Sequence, residues 1–467
     1  MTSAEITVAE YLLIRLKQIG VDHIFGVPGD FVLGFFNQVL KSEVNYVGTC
    51  NELNAAYAAD GYARIRGAGA FATTFGVGEL SAINGVAGAF AERVPVVVIT
   101  GSPATINFRT RPLLHHTLDD YRIPLHMFEK ITAASTQLAS GETAPAEIDR
   151  VLSACLYYQQ PVYISLPSDV VMMKCKRPDA FLFPVQAPSD PETLAEAIEE
   201  ALGMLDKAHK PVVIGGVELI RFKAQKEFAA LIEKSGFPFA TMMLGKTVLS
   251  EQHPQFIGIF EGERSRAYVQ DRIGSADCVL QLGNLMTDFN TGGFTTNLDD
   301  SKTISANLNF VKIRHHDYEN VYLGDFISGL TRQLQRRDIA SMDIQCAGNS
   351  CEHRHTAPYR PNARQPLTIK RFFDRMSHFV RDDSIVIAET GISLYSAAEM
   401  LMPQGTTFIG QTFYGSIGYT VGATLGAAMA ALHRPVVLFV GDGAPGDLPG
   451  PLDDHPLRPQ ARHLSHQ

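Results

Sequence analysis

FGVPGD at residues 25–30 and NELNAAYAADGYA at residues 51–63 are the two stretches that decide the fold. The first is predicted to be a strand that breaks into a Pro-Gly turn and presents the Asp30 carboxylate at its tip. The second is predicted to open a helix of small residues, which lets another backbone or a flat ligand approach closely. Glu52 lies near the start of that helix, where the helix dipole alone favours a negative charge. Taken by itself, Glu52 is therefore either a helix-dipole residue or a functional acid.

The chain around these stretches alternates between strands and helices. The predicted elements are strand 24–27, helix 31–40, strand 46–48, helix 53–64, strand 70–74, helix 80–92 and strand 94–100. Such alternation indicates βαβ units and a parallel sheet that is buried on both faces. Ligands of these sheets bind beyond the carboxyl ends of the strands. Asp30 and the GVG turn at residues 76–78 both follow strands, so we expect them at one edge of the sheet.

The composition excludes several classes of function. The chain has 467 residues, 45% of them apolar, which suggests about three domains with sizeable cores. A net charge of -9 and a pI near 5.9 argue against nucleic acid and anionic membranes as partners. The six cysteines are scattered and form no disulfide framework, which fits a reducing compartment. The longest apolar run, at 419–432, is shorter than the roughly 20 residues of a membrane span. We therefore expect a soluble cytoplasmic protein.

Two further motifs carry chemistry. Residues 113–116 read LLHH within a polar loop, and paired histidines in a loop are either solvated side chains or acid–base groups. Residues 441–443 read GDG after the apolar strand 436–440. The glycines admit close backbone approach, and the Asp442 carboxylate offers a hard oxygen ligand for Mg²⁺ beside a diphosphate. As a tripeptide GDG is a weak signal, because such turns are common.

The order of the motifs is more specific than any one of them. The series is FGVPGD at 25–30, Glu52, YAR at 62–64, GVG at 76–78, the pair His115 and His116, DFNTG at 288–292, ETG at 389–391, GSIG at 415–418 and GDG at 441–443. In this order the chain resembles the pyruvate decarboxylase family of thiamine-diphosphate enzymes, from about residue 5 to residue 443. The histidine pair distinguishes it from the related acetolactate synthases.

The resemblance implies an α/β chain of three doubly wound parallel-sheet domains. A pyrimidine-binding domain would span 1–182, a central domain 191–345, and an incomplete diphosphate-binding domain 367–443. It also implies a homodimer or homotetramer, since the site would form between the first domain of one subunit and the third domain of another. The expected substrate is a small 2-oxo acid, which loses CO₂ without oxidation to give an aldehyde.

The resemblance also assigns roles to single residues. Glu52 would hydrogen-bond N1′ of the aminopyrimidine, and burial would raise its pKa and suit it to share a proton. Gly415 would offer its carbonyl to the 4′-amino group, and Ile417 would support the bent cofactor, although an apolar residue there also suits a core. Asp442 would bind Mg²⁺. The residues assigned to the diphosphate or the thiazolium are Thr390, Ser416, Asp442, Gly443 and Ala444.

Asp30, His115 and His116 are, by the same resemblance, the groups that handle protons around the decarboxylation step. Pyruvate is the first expectation for the substrate. Two alternatives stay open, an aromatic 2-oxo acid such as indolepyruvate or phenylpyruvate, and a catalytically inactive regulatory paralogue.

The resemblance stops after Gly443. Residues 444–467 contain five prolines and no Asn, Val, Ile or aromatic residue, and they show neither a helical nor a strand period. We therefore expect an atypical Pro-rich tail that cannot complete a parallel sheet. In the family this region carries an Asn ligand for Mg²⁺ and a catalytic Glu, so we also expect impaired activity.

Overall fold

The structure is a computed structural model that describes residues 5–182, 188–335, 359–362 and 364–441, and the backbone of 461–465. Two compact units divide the chain, one made of Met1–Gln186 with Tyr414–Gln467 and the other of Ala187–Phe413. Both are mixed α/β units with mostly parallel sheets, which confirms the predicted fold class. The division into three domains at the boundaries given above stays a prediction.

The first unit is built on a six-stranded parallel sheet. Its elements begin with β1 (Glu5–Thr7), α1 (Val8–Gln18), β2 (His23–Gly26), α2 (Leu33–Val39), β3 (Asn45–Gly48), α3 (Glu52–Arg66), β4 (Gly69–Thr74), α4 (Val77–Ala91), β5 (Val96–Ser102), α5 (Thr105–Thr110), α6 (Ile123–Phe128), β6 (Ala134–Gln137), α7 (Ala144–Tyr158), β7 (Val162–Pro167) and β8 (Lys174–Lys176). The strand order is β3-β2-β4-β5-β7-β6, and a separate antiparallel ribbon joins β1 to β8. Every residue of β4 and β5 is buried, as the apolar runs predict.

Alternating residues of the central strands enter two separate cores. Ile24, Ala70 and Ile99 belong to the core on one face of the sheet, whereas Phe25 and Phe71 belong to the core on the other face. This follows from the strand period of two, which directs successive side chains to opposite faces. The sheet is therefore held between two helical layers, and its carboxyl edge is left to carry the site.

The second unit has a sheet of its own. Its elements are α8 (Pro191–Leu205), β9 (Pro211–Gly215), α9 (Glu218–Arg221), α10 (Gln225–Ser235), β10 (Phe239–Thr241), β11 (Phe256–Ile259), α11 (Ala267–Gly274), β12 (Cys278–Leu282), β13 (Thr303–Asn307), β14 (Phe310–Ile313), β15 (His316–Glu319), α12 (Leu323–Gln333), α13 (Ile369–Ser377), β16 (Ile385–Ala388), α14 (Ile392–Ala398) and β17 (Thr407–Ile409). Seven strands pair in the order β11-β10-β9-β12-β13-β14-β15, and β13–β15 form an antiparallel meander that the βα rhythm did not predict.

The chain then returns to the first unit with α15 (Tyr419–Ala430), β18 (Val436–Val440) and β19 (Ala461–Ser465). β19 pairs in parallel with β18 over all five residues, from Val436 with Ala461 to Val440 with Ser465. The expectation that the tail cannot complete a parallel sheet is therefore wrong at 461–465. The hydrogen bonds between paired strands are made by backbone groups. A segment without an alternating pattern of apolar and polar side chains can therefore still add an edge strand.

α15 lies directly on α3 because both helices are rich in small residues. A Cβ atom on Gly426 would lie 1.8 Å from the carbonyl oxygen of Ala58, and one on Gly61 would lie 2.2 Å from that of Ala423. Only glycine permits this separation of the two backbones. The apolar run at 419–432 is thus a buried helix, and none of the described helices has the length and apolar character that a membrane span requires.

The packing of α15 on α3 predicts an unusual response to alanine. Gly426→Ala should lower the free energy of unfolding by about 1–3 kcal/mol, because the added methyl group overpacks the helix contact. In Gly34→Ala, on α2 of the same unit, the nearest atom to the new methyl group is 3.8 Å away. This control should be neutral or gain about 0.4–1 kcal/mol. Urea unfolding of both variants measures the difference, and equal stabilities would contradict the close helix contact.

Candidate active site

Asp30 lies just beyond the carboxyl end of β2, at the first residue of a single 3-10 turn, Asp30–Val32. Its carboxylate is hydrogen-bonded to Nε2 of His115, and Oγ1 of Thr74 donates to its Oδ1 atom at 3.3 Å. Thr74 is the last residue of β4, which neighbours β2 in the sheet. Two adjacent strand ends and the histidine loop therefore meet at the predicted edge.

The environment of Asp30 keeps its carboxylate ionised. Partial burial on its own would raise the pKa of Asp30, but hydrogen bonds with His115 and the Phe31 backbone N–H outweigh it. The net effect holds the pKa of Asp30 below its usual value. The carboxylate is therefore available to stabilise a proton on the neighbouring imidazole.

His115 and His116 lie in the loop between α5 and α6. The Phe31 ring stacks on His115 with ring centroids 5.0 Å apart and planes 15° apart. The Tyr121 hydroxyl donates to the Pro112 carbonyl and closes the base of the loop. Nδ1 of His116 is 4.0 Å from Oδ1 of Asp30. The loop thus brings both predicted histidines to the predicted acid.

The GVG turn at residues 76–78 packs against the backbone of His116. Gly76 has a φ of 65°, and a Cβ atom there would lie 2.2 Å from the His116 carbonyl oxygen. The Gly76 N–H donates to Oε1 of Glu79 at 2.7 Å, and the Tyr163 hydroxyl donates to Oε2 at 2.6 Å. Glu79 is completely buried, and its burial raises the pKa of this carboxyl group to about 7. A buried acid therefore holds the turn on which the histidine loop rests.

Glu52 is the first residue of α3 and directly follows the N-cap residue Asn51. Its Oε1 atom would lie 3.2 Å from a Cβ atom on Gly78, which places the carboxylate beside the GVG turn. Among the described residues, no hydrogen bond or ion pair engages this carboxylate. In the single chain Glu52 is half-buried, and its burial in the site between subunits that the resemblance implies stays a prediction.

The segment around Gly415 lies against α3 and α4. Oγ of Ser416 is 2.6 Å from the Tyr57 hydroxyl, and the Asn84 side-chain amide donates to Ser416 at 3.0 Å. The Tyr414 hydroxyl in turn donates to Oδ1 of Asn84 at 2.9 Å. Ile417 is 64% exposed, which rules out the alternative of a core residue. Gly415, Ser416 and Ile417 are thus held in one unit with Glu52, Asp30 and the histidine pair.

A buried ion network anchors this segment. Arg64 pairs with Asp60 at 2.6 Å and with Glu92 at 2.7 Å, and all three side chains are almost completely buried. The Tyr419 hydroxyl donates to Asp60 at 2.5 Å, and the Tyr414 backbone N–H donates to Glu92 at 3.2 Å. The network therefore connects α3 and α4 to both ends of the 414–419 segment.

The other predicted site residues lie elsewhere. Thr390 belongs to the second unit, where its backbone N–H donates to Glu389 at 3.1 Å and its hydroxyl donates to the Gln411 carbonyl at 3.4 Å. Asp442, Gly443 and Ala444 lie outside the described residues. The predicted Mg²⁺ ligand Asp442 therefore stays a prediction.

Sequence reasoning missed several residues that shape the site. Phe31, Tyr57, Thr74 and Asn84 are ordinary residues within predicted elements, and no local pattern singles them out. Glu79 did carry a signal, because it is the third residue of α4 and its side chain reaches back to the N-cap Gly76, as in a capping box. The predicted start of this helix at residue 80, instead of Val77, hid that relation.

The second unit holds a cavity of about 890 Å³. Phe256, Tyr268 and Phe373 supply aromatic walls, and Arg266 and Glu399, paired at 2.6 Å, also line it. None of the predicted site residues lines this cavity, so its size alone does not make it the site.

Three family models match the chain. They describe the N-terminal TPP-binding domain of thiamine pyrophosphate enzymes at residues 6–123, the central domain at 198–330 and the C-terminal TPP-binding domain at 390–451. The chain thus has the domain set of a thiamine pyrophosphate enzyme, in the order that the motifs predicted.

Curated relatives narrow this class. An "Alpha-keto-acid decarboxylase" of Mycolicibacterium paratuberculosis is 40% identical over 447 residues, 95% of this chain and 78% of the relative. A "Pyruvate decarboxylase" of Candida albicans is 37% identical over 94% of this chain and 79% of the relative. "Pyruvate decarboxylase isozyme 3" of Saccharomyces cerevisiae is 35% identical with the same coverage. The chain belongs to the pyruvate decarboxylase family of thiamine-diphosphate-dependent 2-oxo acid decarboxylases, which are carboxy-lyases.

The residues of the first unit fit thiamine diphosphate. An acid at a helix start whose carboxylate no described residue engages can accept a hydrogen bond from a ligand. The exposed Ile417 side chain offers an apolar surface beside polar groups, which suits an aromatic ring.

Glu79 makes the stability of the first unit depend on pH. Its folded pKa, about 7, lies above the value of about 4.5 in the unfolded chain, so the folded state binds more protons between these values. The stability from Glu79 is fully present below pH 4.5 and is lost as the pH rises through 7. The difference is roughly 3 kcal/mol.

Glu79→Gln should flatten this dependence, because the amide still accepts from the Gly76 N–H and donates to the Tyr163 hydroxyl. We expect the free energy of unfolding to fall less between pH 5 and pH 8 in this variant than in the parent protein. Glu142→Gln, which changes an exposed carboxylate of the same unit, should keep the parent slope. Urea unfolding at several pH values measures both slopes, and a parent slope in Glu79→Gln would contradict the role of this group.

Proposed function

We propose that this protein decarboxylates pyruvate to an aldehyde and CO₂, with thiamine diphosphate and Mg²⁺ as cofactors. The observation that carries the proposal is the meeting of Asp30, His115 and His116 at the carboxyl edge of the first parallel sheet. Two imidazoles and an ionised carboxylate at such an edge can supply the proton transfers that the reaction requires. The family membership supplies the reaction class.

The cofactor would be held between two subunits, by residues of the first domain of one and of the third domain of the other. Glu52 would hydrogen-bond the aminopyrimidine at N1′, Gly415 would accept from its 4′-amino group, and Ile417 would contact its apolar face. Thr390, Ser416, Gly443 and Ala444 would bind the diphosphate or the edges of the thiazolium. When bound, thiamine diphosphate supplies an electron sink that makes the loss of CO₂ from a 2-oxo acid possible. Asp442 would bind the Mg²⁺ ion that neutralises the diphosphate.

Asp30 and the histidines would move protons. The ionised Asp30 carboxylate faces Nε2 of His115, so a proton can be held between these two atoms. The stacked Phe31 ring keeps the imidazole oriented. His116 presents Nδ1 to the same carboxylate, so the site can deliver one proton and accept another during a turnover.

Three finer features belong to the same proposal. The proposed substrate is pyruvate. An aromatic 2-oxo acid is the alternative, because one relative has the broader name "Alpha-keto-acid decarboxylase". The protein acts as a homodimer or homotetramer. It acts in the cytoplasm, in keeping with the buried thiols of Cys155, Cys175 and Cys278.

The proposed role of Glu52 predicts a large loss of activity in Glu52→Gln. We expect kcat for pyruvate to fall by about 10²–10⁴-fold, the usual contribution of an acid–base group, with stability nearly unchanged. Glu192→Gln is the matched control, since Glu192 is also an acidic residue in the first turn of a 15-residue helix. If Glu52 acted only through the helix dipole, Glu52→Gln would behave like the control, with full activity and a small change in stability.

The assay measures aldehyde release with added thiamine diphosphate and Mg²⁺, from pyruvate and from phenylpyruvate. Faster turnover of pyruvate supports the proposed substrate, and faster turnover of phenylpyruvate favours the aromatic alternative. Cofactor binding without turnover of either substrate would replace the proposal with a catalytically inactive regulatory paralogue.

A further inference from the structure

The cluster at the sheet edge contains the ligand set of a transition-metal site. One carboxylate oxygen of Asp30 and one ring nitrogen each of His115 and His116 all lie within 4.8 Å of one another. Two imidazoles and one carboxylate are donors that Zn²⁺, Co²⁺ and Ni²⁺ bind well, whereas Mg²⁺ prefers oxygen donors alone. The donor atoms of the cluster therefore favour a transition-metal ion over the Mg²⁺ ion that the diphosphate needs.

The distances suit a single ion after small movements. Metal–ligand bonds of about 2.1 Å in a tetrahedral site separate neighbouring ligand atoms by roughly 3.4 Å. Nδ1 of His116 and Oδ1 of Asp30 are 4.0 Å apart, so closing on an ion requires a shift of about 0.6 Å, which a side-chain rotation provides. Nε2 of His115 is hydrogen-bonded to the same carboxylate, and binding of an ion would replace this hydrogen bond, because two ligand atoms of one ion lie further apart.

Two observations show that a ligand position is open. Nδ1 of His116 is buried and has no hydrogen-bond partner among the residues that the structure describes, although it lies 4.0 Å from Oδ1 of Asp30. A buried ring nitrogen without a partner is unfavourable, and a metal ion would satisfy it. The side chains of Asp30, His115 and His116 are nevertheless 48%, 59% and 29% exposed overall, so an ion can enter from solvent.

The surroundings orient the ligands as in known metal sites. The stacked Phe31 ring fixes the plane of His115, and the Thr74 hydroxyl donates to the Asp30 carboxylate at 3.3 Å. Such outer contacts set the direction of a ligand before the ion binds. The three ligands leave at least one coordination position of the ion to water.

We propose that Asp30, His115 and His116 form a binding site for one Zn²⁺-type transition-metal ion, distinct from the Mg²⁺ that the diphosphate requires. Binding occupies the atoms that the proposed function uses for proton transfer. The metal site therefore inhibits decarboxylation, and this consequence rests on the proposed function, whereas metal binding itself does not.

Cobalt titration of the full chain, without thiamine diphosphate and Mg²⁺, tests binding directly. The parent protein should bind one equivalent of Co²⁺ with visible absorption bands of nitrogen and oxygen ligands. Asp30→Asn, His115→Ala and His116→Ala should each weaken binding by about 100-fold or more, since loss of a ligand exceeds the 10–100-fold effect of an outer contact. His126→Ala, an exposed histidine of α6 in the same unit, should bind as the parent does. Circular dichroism confirms that each variant folds.

Retention of the parent affinity in Asp30→Asn and in His115→Ala would overturn the proposal. A thiolate-to-cobalt band in the near ultraviolet would also overturn it, because it would assign the ion to cysteines. Inhibition of decarboxylation by Zn²⁺ is measured separately with excess Mg²⁺ present. Metal binding at the triad without inhibition would keep the metal site and contradict the proton-transfer role proposed for these residues.

Discussion

The buried Arg64 guanidinium is the constraint on which the first unit depends. It pairs with Asp60 on its own helix and with Glu92 just beyond the end of α4, and Tyr419 at the start of α15 donates to the same Asp60. Removing one member of such a buried network leaves an uncompensated charge, which typically costs about 3–5 kcal/mol. The network therefore links the three helices through groups that cannot be removed singly without a large cost.

This arrangement of the helices also fixes the position of one part of the candidate site. Because Glu92 also accepts from the Tyr414 backbone N–H, the segment that carries Gly415, Ser416 and Ile417 is attached to the network. The glycine contact between α15 and α3 keeps the same segment close to the helix that Glu52 begins. The residues proposed to bind the cofactor thus obtain a fixed position on an irregular segment from the buried ion network and the glycine contact between two helices.

The cluster of Asp30, His115 and His116, for which a role in proton transfer is proposed, obtains its position in a different way. Asp30 and Thr74 follow adjacent parallel strands, so the sheet alone brings them together. His115 and His116 are carried by a loop, and the loop rests on a turn that the buried Glu79 holds. Strand pairing therefore positions Asp30 and Thr74, whereas the buried carboxyl group of Glu79 holds the turn that contacts the histidine loop. The same closeness that suits proton transfer also creates a ligand set for a transition metal.

The sequence alone determined the α/β class, the parallel sheet of the first unit and the edge at which its site lies, because βα periodicity and turn chemistry are local properties. It also determined the candidate residues Asp30, Glu52, His115 and His116 through the order of motifs. Only the tertiary structure decided the meander β13–β15, the strand at Ala461–Ser465, the half-buried position of Glu52, the exposure of Ile417, and the contacts that Tyr57, Glu79 and Asn84 make. Most of these features depend on contacts between residues far apart in the chain, and such contacts leave no periodic trace in the sequence; the meander is the exception, since its paired residues are only 3 to 9 positions apart.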